Sequence, residues 1–73
     1  MTNYTVVIEP DEDMYHAYVL ALPGCHTFGS TLDETLQYIK EAISLYIDGL
    51  IENGEPIPTE SESLVVTRVP AAV

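Results

Sequence analysis

From Leu32 onward the apolar residues recur at alternating steps of four and three: Leu32, Leu36, Ile39, Ile43, Tyr46 and Leu50. That spacing places them on one face of a helix, with Asp33, Glu34, Gln37, Lys40 and Glu41 outside. Thr31 and Glu34 have the T-x-x-E spacing of a capping box. In such a box the Thr31 hydroxyl accepts from the Glu34 N–H, and the Glu34 carboxylate reaches back to the Thr31 N–H. Ser30 offers an alternative cap one residue earlier. Asn53-Gly54 ends the run, because Gly tolerates the left-handed conformation after the last turn and Pro56 and Pro58 block resumption. The pattern predicts a helix over residues 31–52. Its second half carries a surplus: Ala42, Leu45, Ile47 and Ile51 widen the apolar surface beyond the main stripe. In a chain this small, the second side is expected to meet another subunit, with Gly49 serving close packing there.

Ahead of the helix the periodicity changes to two. Residues 3–9 are β-branched and aromatic and read as a strand, with Tyr4, Val6 and Ile8 on one face and Thr5, Val7 and Glu9 on the other. Residues 10–14 make a turn, and residues 15–21 a second strand antiparallel to the first. In that second strand Tyr18 and Leu20 oppose Tyr15, Ala17 and Val19, so both faces are partly covered or one is an interface. Leu22-Pro23-Gly24 fits a type II turn, with Pro at its second position and Gly at its third. Residues 25–28 form a short third strand, and Gly29 frees the chain to enter the helix. Beyond an extended acidic connection over 55–62, residues 64–69 read as a last strand stopped by Pro70, with a frayed tail. The fold class expected is α+β, in the order β-β-β-α-β. It is a four-stranded, mostly antiparallel sheet of order 3-2-1-4 with the helix packed on one face.

Length and charge sharpen this picture. Seventy-three residues make one domain with a thin margin of stability. No apolar run is long enough to span a membrane, the N-terminus lacks the pattern of a signal peptide, and the single cysteine fits a reducing cytoplasm. Twelve acids oppose two bases, Lys40 and Arg68, for a formal net charge of −10. Two isolated bases do not neutralise a phosphate backbone, so the chain alone is not expected to bind nucleic acid, nor an anionic membrane. The natural partner of such a surface is a basic protein, although acids also serve solubility alone.

The candidate chemistry is sparse. Asp11-Glu12-Asp13 lacks the spaced ligands of a calcium loop and reads as a solvated turn. His16 and His26 have no partner at ligand spacing. Cys25 and His26 are adjacent, which sends them to opposite faces of a strand and excludes a local nucleophile–base pair. Gly24 and Gly29 lack the context of a phosphate loop. No catalytic residue, metal site or cofactor is expected.

Four stretches together carry a resemblance: Tyr4-Thr-Val-Val-Ile-Glu-Pro-Asp-Glu-Asp13, Leu22-Pro-Gly-Cys-His-Thr-Phe-Gly-Ser-Thr-Leu-Asp-Glu34, Ile39-Lys-Glu-Ala-Ile43 and Gly54-Glu-Pro-Ile-Pro58. In this order they resemble the HicB-like antitoxin family, from residue 4 to about residue 69. The resemblance implies a core similar to a truncated ribonuclease H fold. It also implies a place in a type II toxin–antitoxin pair. The partner would be a small basic HicA-type toxin, similar to a double-stranded-RNA-binding domain, that cleaves messenger RNA through a histidine. Two features depart from the family pattern: Met14 stands where Gly is common, and the DNA-binding segment of many full-length members has no counterpart before Val73. Direct operator binding is therefore not expected. The residues expected to meet the toxin are Glu9, Asp11, Glu12 and Asp13, and those expected at a homo-oligomer interface are Tyr18, Leu20, Ile47 and Ile51. The alternatives are a metal-dependent nuclease using Glu9 and the Asp11–Asp13 turn, and an orphan oligomeric domain without a toxin.

Overall fold

The computed structural model describes residues 3–61 and 64–72. Its elements are β1 (Val6–Asp11), β2 (Met14–Val19), β3 (His26–Gly29) and α1 (Leu32–Glu52). The strands form one antiparallel sheet of order β1-β2-β3, so consecutive strands are neighbours and β2 is central. β1 and β2 meet through a two-residue turn, Glu12-Asp13, tighter than the five-residue turn expected from sequence. Pro10 consequently lies inside β1, where an edge strand tolerates its missing N–H. Glu12 takes a left-handed φ of 57° to close the turn. The turn after β2 has the expected form: Cys25 N–H donates to the Leu22 carbonyl at 3.0 Å, with Gly24 at φ 81°.

The helix begins and ends where its chemistry dictates. The Thr31 hydroxyl accepts from the Glu34 N–H at 3.1 Å. The reciprocal half of the box differs from expectation, because the Glu34 carboxylate accepts from the Ser30 hydroxyl at 2.8 Å. Thr31 is therefore the N-cap, and Ser30 holds the Glu34 side chain beside it. At the other end Gly54, at φ 69°, donates to the Ile51 carbonyl, and Glu55 N–H donates to the Leu50 carbonyl at 2.9 Å. This pair of bonds satisfies two of the carbonyls that the last turn leaves free.

α1 lies across β2 and β3 on one face of the sheet. Ala17, Val19, Leu22, Cys25 and Ile39 form the buried core, and Tyr4, Val6, Ile8, Ala42, Ile43, Tyr46 and Ile47 pack around it. Each fully buried aliphatic side chain of this kind contributes about 1.5–3 kcal/mol. The small Ala17 in the central strand leaves room for the helix. The buried stripe departs from the expected one at its start: Leu32 is 48% and Leu36 41% exposed, while Thr35 is fully buried. Gly29 explains the exchange. A side chain there would meet the backbone of Thr35 at 2.8–2.9 Å, so its absence lets that turn of the helix settle on β3. Thr35 then occupies the buried position, and its hydroxyl donates to the Thr31 carbonyl at 2.7 Å, leaving no orphaned polar group.

Among the described residues the expected fourth strand does not form: residues 64–69 carry no strand, and the sheet has three. Val65 and Val69 are 75% and 81% exposed, which is incompatible with a strand laid under a helix. The helix approaches β2 and β3 most closely, and the exposed valines of 64–69 lie against no second layer. The connection is instead fastened to the chain just before β1. The Tyr4 hydroxyl donates to the Pro58 carbonyl at 2.6 Å, and the Glu60 carboxylate accepts from the Thr5 N–H and, at 2.9 Å, from the Thr5 hydroxyl.

Candidate functional site

Strand parity and the two-residue turn fix what the uncovered face of the sheet displays. Glu9 pairs with His16, and His16 with Phe28, so these three side chains form a row across all three strands. A second row, Val7–Tyr18–His26, runs beside it. The His16 ring stacks on Phe28 with centroids 4.6 Å apart and planes 25° from parallel. It also meets His26 edge-on at 5.4 Å and Tyr18 at 5.7 Å. Its Nδ1 lies 3.5 Å from a Glu9 carboxylate oxygen. Phe28, His26 and Glu9 are exposed, and His16 and Tyr18 half-buried. The face continues into an open cavity of about 450 Å³ bordered by His16, Tyr18, Leu20, Pro23 and His26. The Tyr46 hydroxyl of α1 donates to the Pro23 carbonyl at 3.0 Å and so holds the cavity's rim against the helix.

The acids stand at one end of this face. Asp11 follows Glu9 on the same side of β1, and Glu12 and Asp13 form the adjoining turn. All four are exposed. Lys40 lies on α1 and Arg68 beyond the helix, so no Lys or Arg belongs to the face or its turn. Among the described residues no three His, Cys, Asp or Glu side chains gather as metal ligands. Cys25 and His26 do fall on opposite sides: Cys25 is buried in the core and burial pushes its thiol up from the ordinary range, while His26 is exposed.

The residues expected to act together are therefore partly regrouped. Glu9, Asp11, Glu12 and Asp13 form one patch. Tyr18 and Leu20 lie by the cavity. Ile51 is exposed on the helix, whereas Ile47 packs against the core and borders a second cavity with Tyr4 and Ile57. A charge at Ile47 would strike the core as well as any interface. His16 and His26 have no partner at ligand spacing in the sequence, and Phe28 carries no signal there of its own. Their signal was the shared parity of His16 with Tyr18 and of His26 with Phe28, but the longer turn assumed between β1 and β2 hid the register.

A three-stranded meander, covered on one face by a capped helix and bearing carboxylates and rings on the other, is a small acidic α+β domain with an open face suited to binding. The chain belongs to the HicB-like antitoxin family: the model of the HicB-like antitoxin of bacterial toxin-antitoxin systems matches residues 4–70. It is 49% identical over 59 residues to a UPF0150 protein of Synechocystis sp., covering 80% of this chain and 75% of that protein. It is 51% identical over 60 residues to a UPF0150 protein of Thermoplasma acidophilum, covering 81% and 87% respectively. A UPF0150 protein of Archaeoglobus fulgidus is 47% identical over 56 residues, covering 73% and 81%. No solved structure matches the chain significantly. Among the described residues no helix is long and apolar enough to cross a membrane.

Proposed function

We propose that this domain is the antitoxin half of a toxin–antitoxin pair and acts by binding. It covers a small basic, messenger-RNA-cleaving toxin of the HicA type, similar to a double-stranded-RNA-binding domain. The family supports the toxin–antitoxin role. The observation that carries the choice of partner is electrostatic. A chain of net charge −10 places Glu9, Asp11, Glu12 and Asp13 at one end of an uncovered sheet face, away from both of its bases. Such a patch attracts a basic surface and repels nucleic acid, so the domain competes with RNA for the toxin and does not bind RNA itself. On this reading the frame, of truncated ribonuclease H type, serves recognition and not hydrolysis.

The test is the rate of association between the purified domain and a small basic protein captured with it from its native host; recovery of no such protein also counts against the reading. Raising the salt from low to physiological strength should slow association by about tenfold or more. The triple variant Asp11→Asn, Glu12→Gln, Asp13→Asn should slow it at low salt while its urea midpoint stays near that of the wild type. A rate indifferent to both salt and substitution overturns the reading.

A further inference from the structure

Charge steers a partner from a distance, but it does not explain why an exposed sheet face carries four rings in contact. Rings left open to water give up apolar burial, and the residues that the same sheet buries, Ala17 and Val19, are aliphatic. The open face orders its groups in a specific sequence: a carboxylate, then an imidazole stacked on a phenyl ring, with a phenol and a second imidazole alongside. A guanidinium satisfies all of these at once. It pairs with a carboxylate through its planar N–H fork and lies flat on a π-face, whereas an ammonium makes a strongly hydrated point contact. The Glu9 carboxylate is close enough to His16 Nδ1, at 3.5 Å, for one planar group to span both. The face and its turn supply no Lys or Arg for that place, and Asp11, Glu12 and Asp13 reinforce the charge next to it.

We propose that the Glu9–His16–Phe28 row, flanked by Tyr18 and His26, is the seat for an arginine side chain of the basic partner protein. This rests on the proposed function, which supplies a basic partner, and adds the side chain by which that partner is held. The acids at the turn raise the encounter rate. The ring row selects arginine over lysine and slows departure.

The probes are two peptides of equal charge, hexa-arginine and hexa-lysine, titrated into the isotope-labelled full chain and followed by NMR. Hexa-arginine should bind about tenfold more tightly than hexa-lysine. It should shift the ring resonances of His16, Tyr18, His26 and Phe28. Phe28→Ala, whose side chain is exposed and outside the core, should bring the two peptides to equal affinity while the spectrum of the core is kept. Glu9→Gln should weaken both peptides, and arginine more. Equal affinity of the two peptides for the wild type, or shifts confined to Glu12 and Asp13, overturns the arginine seat while leaving acidic steering of a basic partner in place. If neither peptide binds at low salt, the charge argument for a basic partner fails with it. If sedimentation equilibrium shows a dimer that Phe28→Ala dissolves, the face is occupied by a second copy, and the proposal falls.

Discussion

Gly29 is held to hydrogen at its α-carbon by the closeness of the helix and not by an unusual backbone angle. A β-carbon there would lie 2.8 Å from the Thr35 nitrogen and 2.9 Å from its α-carbon, and backbone cannot step aside as a flexible side chain does. Gly29→Ala should therefore lower stability by about 1–3 kcal/mol, read from the urea midpoint. From sequence alone this glycine looked like a hinge into the helix. The position was legible, but its reason was not, because a close approach between elements is invisible until they are packed. Cys25 makes a second case at this scale. Burial raises its folded-state value above the ordinary 9.0, so its contribution to stability is present below the unfolded value and is lost as pH rises through the folded one. Denaturation compared at about pH 8 and about pH 10 should show a loss in the wild type that is smaller in Cys25→Ala. The buried thiol should also react with a maleimide only as fast as the chain opens.

The helix separates what local chemistry determines from what packing determines. Its ends were readable because the cap lies within a few residues of the bonds it satisfies. Thr31→Ala removes the acceptor for the Glu34 N–H and should cost about 1 kcal/mol, measured as a shift in the thermal or urea midpoint. Its buried side was less readable. Leu32 and Leu36 lie in the right periodicity, yet Thr35 takes the covered position because the groove above Gly29 is too tight for a leucine. Strands 1 to 3 were legible as alternation, with boundaries a few residues off once the turn proved shorter. The segment 64–69 shows the converse. Its β-branched composition expresses a preference that has effect only against a neighbouring surface, and here no such surface is offered.

Across the whole molecule, the charge was legible without any structure, because a sum over residues needs no coordinates. The acids of the expected contact patch stay together because three of them are consecutive and the fourth is two residues away on the same strand face. The ring cluster was not legible, since it unites residues from β2 and β3, beside Glu9 of β1, through a register that only the assembled sheet supplies.

The tether from Tyr4 and Thr5 to Pro58 and Glu60 has a consequence in time. The strand pairings join neighbours along the chain, and the helix packs on the two strands that precede it, so those closures enclose shorter loops and are expected to form earlier. The tether closes a sequence separation of 54, from Tyr4 to Pro58, and is expected to form last. Contacts made after the barrier act on escape from the native state and not on its formation. In stopped-flow experiments, Glu60→Ala should leave the refolding rate unchanged and speed unfolding. The native lifetime of the domain would then be lengthened by a clasp of three side chains, Tyr4, Thr5 and Glu60, lying outside its regular structure.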